Sequence, residues 1–285
     1  MAEETTSYDP GVPPRHLLQH PRYLTEKRAA FLQLFLDTPH ITTEQAYELG
    51  GATTETQKRA MRRFLKLLFD AGYLLRELLV VAQPGPFPHF QYSYRLSKHG
   101  AREVHGRSAA ERSPFSLAHD AEITAFHIAL RTYPGRVWWK QHDLRKTVHP
   151  DAVFGLAPDT TTPASYFFLE IERSRQGHYR DRESGLITKL RRYDAYRGSD
   201  ACRREFTYFE DFHVIVVLQN EERRRNLLAK LAQTLPKRFI WTTTVDEYHR
   251  DILGPIFLTP HDSKAAAYCL AAAAACGIAS YRGGT

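Results

Sequence analysis

Two acidic β-segments in the middle of the chain constrain its fold more than any other feature. Residues 147–156 and 166–172 each read as a strand, and a turn joins them. They carry Asp151, Glu170 and Glu172. Neighbouring strands lie about 4.8 Å apart, and side chains two residues apart point to the same face of a sheet. We therefore expect the three carboxylates to converge at one place.

Carboxylates held together in this way suit a divalent metal ion. Magnesium and manganese prefer hard oxygen ligands, usually carboxylates completed by water and a substrate phosphate. The pattern is typical of a metal-dependent nuclease core and predicts Asp151, Glu170 and Glu172 as metal ligands. Glu122, on the helix predicted before these strands, is a weaker fourth candidate. The expected cofactor is magnesium or manganese if the site is catalytic, and none otherwise.

The elements around these strands predict a second domain over residues 117–262. Alternating helices and strands in this order form a mixed sheet with helices on both faces, and the order is that of a PD-(D/E)XK nuclease core. The predicted elements are a helix over 117–133, a strand at 137–139, the two acidic strands, a helix over 182–197, a strand at 212–218, a helix over 221–235, and strands near 239–243 and 256–258.

The nuclease pattern departs from its usual form at one position. The third residue of (D/E)xK is normally a lysine that orients the attacking water, and here it is Glu172. The following helix can supply the cation instead, because Lys189, Arg192, Tyr193 and Tyr196 share one helical face. The predicted catalytic set is therefore Asp151, Glu170, Glu172 and Lys189.

Each of these residues also has a purely structural interpretation. Asp151 follows a proline and can simply begin a strand, Glu170 and Glu172 can form an exposed polar edge, and Lys189 can be a surface lysine. The edge interpretation is disfavoured because Glu170 interrupts a segment that is otherwise apolar on both faces. A buried carboxylate is costly unless it is paired or metal-bound.

Residues 20–104 predict a winged helix-turn-helix domain. Thr25, Thr42 or Thr43, and Thr54 are N-cap candidates for three successive helices, the third ending near Asp70. Two strands then flank a proline-rich loop at 84–88, and a short helix begins near Ser97. Three helices joined by short turns and followed by such a hairpin are typical of this DNA-binding domain. The predicted fold class is thus α+β / α/β, with an N-terminal winged helix-turn-helix followed by a mixed-sheet PD-(D/E)XK nuclease-like domain.

The third helix of this domain is amphipathic and basic. Its apolar face consists of Met61, Phe64, Leu65 and Leu68. The roughly opposite face carries five cations, which are the predicted DNA-binding residues: Lys58, Arg59, Arg62, Arg63 and Lys66. A helix of this kind can lie in a major groove between phosphates. The structural alternative is a solvated charged face.

Bulk properties set the remaining expectations. A chain of 285 residues favours two domains, and a net charge of +7 favours a polyanionic partner, here duplex DNA. No apolar run is long enough to span a bilayer, and the acidic N-terminus does not resemble a secretory signal, so we expect a cytoplasmic protein with no membrane partner. The three cysteines form no CxxC pair, and no phosphate-loop, GxGxxG, HExxH or GxSxG motif occurs.

Two segments lie outside the two predicted domains. Residues 105–116 are the predicted linker, and residues 263–285 are predicted to form an alanine-rich C-terminal tail helix.

An ordered set of short segments runs through both predicted domains. They are Tyr23–Thr25, Ile41–Gln45, Arg62–Leu68, Gly72–Leu74, Tyr94–Gly100, His119, Pro150–Ala152, Phe168–Arg173 and Lys189–Tyr193. Taken together, they resemble the replication-relaxation family over almost all of residues 22–200. The resemblance implies a winged helix joined to a nuclease-like domain, an acid at the position of Glu172, and a link to plasmid replication and DNA relaxation.

Three functional hypotheses follow. The first is a DNA-binding protein of plasmid or mobile-element replication, relaxation or mobilisation, acting with other replication or conjugation proteins and nicking DNA as a metal-dependent endodeoxyribonuclease. The second is a non-catalytic winged-helix transcriptional regulator or relaxosome accessory factor with a degenerate nuclease fold. The third is an adaptor that binds only proteins. The sequence leaves the choice among them, the DNA site and the oligomeric state open.

Overall fold

A computed structural model of the protein contains two compact units, one ending at Ile128 and the other beginning at Ala129. The structure describes residues 24–81, 89–105, 114–141, 147–173, 185–197, 199–206, 211–261 and 268–274. Both units mix helices and strands, as the sequence predicts. None of the helices in these ranges combines the length and apolar character required to cross a membrane.

The first unit contains five helices and three strands among its described residues. They are α1 (Glu26–Asp37), β1 (Ile41–Thr42), α2 (Thr43–Leu49), α3 (Glu55–Asp70), β2 (Leu74–Val81), β3 (His89–Leu96), α4 (Lys98–Glu103) and the greater part of α5 (Pro114–Leu130). The three strands form an antiparallel sheet in the order β1-β3-β2. The proline-rich loop predicted at 84–88 lies outside the described residues.

Helices α1 to α4 begin where the sequence predicts because local capping determines where they start. The hydroxyl groups of Thr25, Thr42, Thr54 and Ser97 each accept a backbone N–H of the following turn. Gln45 and Gln57 return the hydrogen bond to the cap backbone, which completes two capping boxes. The apolar face of α3 then packs into the core through Leu65 and Leu68, which are fully buried with Leu32 and Leu74.

Helix α5 belongs largely to the first unit. The side-chain amide of Gln45 donates to the carbonyl oxygen of Ala121 at 2.6 Å, and the hydroxyl of Thr124 donates to the carbonyl oxygen of His40 at 2.9 Å. The helix begins at Pro114, inside the predicted linker, because proline is well suited to the first position of a helix. Residues 106–113 of that linker lie outside the described ranges.

The second unit is built on a five-stranded mixed sheet in the order β4-β5-β6-β7-β8. Strands β4 to β6 are antiparallel neighbours, whereas β6, β7 and β8 run parallel. Its elements are β4 (Arg136–Lys140), β5 (Ala152–Ala157), β6 (Ser165–Glu172), α6 (Leu186–Arg197), α7 (Asp200–Glu205), β7 (His213–Leu218), α8 (Glu221–Thr234), β8 (Ile240–Thr244) and α9 (Val245–Asp251). The predicted mixed sheet is confirmed.

One face of this sheet is covered by helices α6 and α8. Phe168 of β6 lies at the centre of the resulting core, where its ring stacks on Phe212 with centroids 4.3 Å apart and packs against Tyr193 of α6. Leu227 and Leu231 of α8 join the same core. Because α6 is held by this buried contact, its polar side chains have a defined position over β6.

The structure differs from the sequence expectation in several short segments, among them the unpredicted two-residue strand β1. Helices α7 and α9 were not predicted, since each is at most seven residues long and α9 follows the strand-like Thr242–Thr244 without a break. The strand expected at 256–258 is reduced to isolated antiparallel bridges, such as that between Thr242 and Leu258. Of the predicted tail helix, residues 270–274 are helical, and residues 263–267 and 275–285 lie outside the described ranges.

Candidate functional site

The register of β5 and β6 brings Asp151 beside Glu170. Asp151 directly precedes β5, and its N–H donates to the carbonyl oxygen of Leu169 at 2.9 Å. Its carboxylate then accepts the backbone N–H of Ile171 at 2.7 Å. Asp151 is therefore fixed by backbone contacts on both sides of Glu170, which fits the sequence prediction that these two acids lie together.

Helix α6 supplies two hydrogen-bond donors to Glu170. The ammonium of Lys189 donates to Oε2 of Glu170 at 2.5 Å, and the hydroxyl of Tyr193 donates to Oε1 at 2.5 Å. Glu170 is only 4% exposed, whereas the side chain of Lys189 keeps 34% of its surface in solvent. The structure thus joins Asp151, Glu170 and Lys189 in one cluster, with the lysine at its solvent side.

Burial dominates the acid–base properties of this cluster. Burial and the nearby charge of Asp151 raise the pKa of Glu170 to about 8, against the opposing effect of Lys189 and the Tyr193 hydrogen bond. Burial lowers the pKa of Lys189, but the carboxylates of Glu170 and Asp151 outweigh it, so the net pKa of Lys189 is raised. The cluster can therefore exchange a proton at Glu170 near neutral pH while Lys189 stays charged.

The other predicted acids occupy different positions. Glu172 follows Glu170 on the same face at the end of β6, is half-buried, and contributes to the raised pKa of Lys189. Glu122 lies on α5, in the part of that helix that belongs to the first unit. Glu172 is thus close enough to act on Lys189. The role of Glu122 as a fourth carboxylate stays a prediction.

In this arrangement the carboxylate of Glu170 is bound by donors of the protein. Each of its oxygens accepts one hydrogen bond, from Lys189 or from Tyr193, and keeps a second lone pair through which a divalent ion could bind beside Asp151. Across the described ranges, no group of three or more His, Cys, Asp or Glu side chains is arranged to hold a metal ion. The metal ligands Asp151, Glu170 and Glu172 and the choice of magnesium or manganese therefore stay predictions.

Sequence reasoning missed the contact between Tyr193 and Glu170. Tyr193 was placed on the same face of the helix as Lys189 but was given no role. The i, i+4 spacing of these two residues is the signal that could have identified it, because such residues are neighbours on a helix surface. A helix that presents Lys189 to a carboxylate also presents Tyr193 to it.

The five predicted DNA-binding cations lie along the solvent side of α3. Lys58 pairs with Glu55 at 3.6 Å, and Lys66 pairs with Asp70 at 2.5 Å. Arg59, Arg62 and Arg63 are exposed, and no ion pair is recorded for them within the described ranges. The guanidinium of Arg62 also lies 6.0 Å from the ring centroid of Tyr47 on α2. The three arginines therefore form the part of this surface that can bind an external anion.

Comparison with known families finds a match over much of this chain. The family model described as replication-relaxation matches residues 32–210, which is more than half of the chain. No curated protein and no solved structure shows significant similarity to the chain. The match covers most of the first unit together with β4, β5, β6, α6 and α7 of the second. The chain therefore belongs to the replication-relaxation family.

Proposed function

We propose that this protein binds duplex DNA during the replication, relaxation or mobilisation of a plasmid or other mobile element. The family membership supports the process, and the basic surface of α3 supports the partner. In this proposal the first unit is a winged helix, with α3 as its recognition helix and β2–β3 as its wing. The arginines Arg59, Arg62 and Arg63 are the single observation that carries the proposal.

The charge arrangement on α3 favours an external polyanion over a merely solvated surface. A solvated helix usually pairs its cations with acids one turn away, as Lys58 and Lys66 do here with Glu55 and Asp70. The three arginines are spaced within two turns of one face and keep their guanidinium groups exposed. Arginine suits phosphate recognition because its planar fork can bind two oxygens.

The position of α3 in its unit also suits groove binding. Its opposite side is held by buried Leu65, Leu68 and Phe69, so the basic side is presented on a rigid support. Because the backbone of α3 is already ordered, the helix can enter a major groove without a further loss of backbone conformational entropy.

Replacing Arg59, Arg62 and Arg63 together by alanine tests this proposal. Each lost phosphate contact lowers the slope of log affinity against log salt by about 0.9, so the variant should lose about 3 from that slope. The matched control replaces Arg203, Arg204 and Arg225, three exposed arginines of the second unit, and should keep the wild-type slope. Fluorescence anisotropy of a labelled duplex measures both, and equal slopes for the two variants would refute the assignment of α3.

A second candidate function is strand nicking at the cluster of Asp151, Glu170 and Lys189. The favouring observation is that a solvent-facing ammonium lies beside two carboxylates, one of which titrates near neutrality. Supercoiled plasmid incubated with the protein and magnesium or manganese should then become open-circular. Asp151→Asn and Glu170→Gln should each abolish this, while replacement of the exposed Glu222 of α8 (Glu222→Gln) should not. Duplex binding without nicking by the wild type would instead favour the non-catalytic accessory or regulatory function.

A further inference from the structure

An open groove of about 380 Å³ lies on the sheet of the second unit, away from the helices that cover its centre. Its lining includes Arg136 and Trp138 of edge strand β4, Gly155 of β5 and Tyr166 of β6. Trp138 is directly opposite Gly155, and Gly155 is directly opposite Tyr166, so these residues form a row across three neighbouring strands.

This groove is on the same sheet face as the carboxylate cluster. Tyr166, Phe168 and Glu170 alternate along β6 and therefore point to one side, and Tyr166 packs against the core that contains Phe168. Glu170 lies four positions after Tyr166 along β6, which is about 13 Å at roughly 3.3 Å per residue of strand. The buried core around Phe168, covered by α6, fills the sheet face between them, so the groove is a separate site from the carboxylate cluster.

The aromatic side chains of the groove form a notch. The rings of Trp138 and Tyr166 are nearly perpendicular, at 76° with centroids 6.1 Å apart. A Cβ at position 155 would lie 2.9 Å from Cε1 of Tyr166, so glycine allows this ring to lie against the strand. Glycine inside a strand weakens it and often marks the close approach of a ligand or another group. In this notch the ring of Tyr166 lies against the strand, and the ring of Trp138 stands beside it as the second side.

Trp138 is the most exposed of the three tryptophans. Trp138 is 37% exposed, whereas Trp139 and Trp241, the other two tryptophans, are 8% and 2% exposed. The guanidinium of Arg136 is exposed at the same groove and acts electrostatically on Tyr166. A planar ring that stacks on an aromatic wall and carries a negative charge nearby complements this set of side chains.

We infer that this groove binds a nucleobase of an unpaired DNA strand, stacked on Trp138 with its edge against Tyr166, and with Arg136 bound to its phosphate. The inference rests on the proposed DNA partner and adds a single-stranded substrate at the second unit. Stacking on aromatic side chains tolerates every base, so no sequence preference is expected here.

The test uses the full chain, a short oligo(dT) and the fluorescence of its own tryptophans. Because Trp138 is the exposed tryptophan, oligo(dT) should quench emission through it, and Trp138→Leu should abolish the quenching. Trp138→Leu keeps an apolar side chain but has no ring, and should weaken oligo(dT) binding about 5- to 150-fold by anisotropy. Trp138→Phe keeps a ring and should retain most of the affinity.

A second pair of variants tests the phosphate contact. Arg136→Gln should reduce oligo(dT) affinity and its salt dependence, whereas Arg250→Gln on exposed α9 should leave both unchanged. The inference is overturned if Trp138→Leu binds oligo(dT) as tightly as the wild type does. It is also overturned if Trp138→Leu and Trp138→Phe bind oligo(dT) equally well.

Failure of this inference is distinguishable from failure of the proposed function. Duplex binding is measured in the same variants and depends on Arg59, Arg62 and Arg63, so Trp138→Leu should leave it intact. If the wild type binds duplex DNA but oligo(dT) does not quench its tryptophan fluorescence, only the groove assignment is refuted. If the wild type does not bind duplex DNA, the proposed function itself is refuted.

Discussion

Glu170→Gln should remove a large pH dependence from the stability of the second unit. The pKa of Glu170 is raised by burial from its usual 4.5 to about 8 in the folded chain. Between these two pH values the folded state holds a proton that the unfolded state has released. The free energy of unfolding therefore falls as pH rises through this window, and the loss is complete above about pH 8.

The size of this effect follows from the shift. The rise of the Glu170 pKa from 4.5 to about 8 corresponds to a loss on the order of 5 kcal/mol in the free energy of unfolding between the two ends of the window. Glu170 is almost fully buried, so solvent screening does not reduce this figure. Glutamine resembles the protonated carboxyl and has no charge to bury. The variant should thus be about as stable as the wild type near pH 4.5 and more stable above pH 8.

Urea denaturation followed by tryptophan emission measures the free energy of unfolding of the wild type and of Glu170→Gln. The signal reports on the second unit, because Trp138, Trp139 and Trp241 all lie there. The pKa of His213 is lowered by burial to about 4, so its own titration contributes to both proteins. Subtracting the variant curve from the wild-type curve cancels that contribution.

The matched control is Glu172→Gln, a half-buried acid two residues further along β6. It should follow the wild-type pH dependence. If Glu170→Gln also follows it to within about 1 kcal/mol at every pH, the carboxyl of Glu170 does not titrate near neutrality. In that case the ion pair with Lys189, and not burial, would dominate the site.

Three further predictions concern the packing and capping that hold the sites in place. Phe168→Ala should destabilise the second unit by about 3–5 kcal/mol in urea denaturation, because it empties the core beside Phe212. Gly100→Ala should cost about 1–3 kcal/mol, since its Cβ would lie 2.1 Å from the carbonyl oxygen of Tyr73, and a circular-dichroism melt with no change would contradict this. Thr54→Ala should cost about 1 kcal/mol by removing the N-cap of α3, whereas Thr54→Ser, which keeps the hydroxyl, should melt near the wild-type temperature.

The chain's local patterns were sufficient to predict most of its elements. Thr25, Thr54 and Ser97 identify helix starts because a cap hydroxyl bonds to the backbone only two or three residues away. The basic and apolar sides of α3 follow from helical periodicity alone. The strand pair that carries Asp151 and Glu170 is likewise evident from alternation and the turn between them.

The segments that sequence reasoning missed depend on weaker local signals. Helix α9 follows β8 immediately, and the β-branched residues before it resemble a continuing strand until the capping box of Thr244 and Glu247 ends it. The strand expected near 256–258 has the composition of a strand but pairs only through isolated bridges. Pairing depends on a partner elsewhere in the chain, which composition does not reveal.

The amino-acid sequence alone indicated which residues could take part in binding or catalysis. The positions of the acids, lysine and arginines follow from strand alternation and helical periodicity, which are local patterns. The tertiary structure decided their partners. Tyr193 binds Glu170 from 23 positions along the chain, and Trp138 meets Tyr166 across two strand pairings. Such contacts depend on how α6 lies over β6 and on which strand is at the edge of the sheet. Both result from packing between distant segments, and no local pattern specifies that packing.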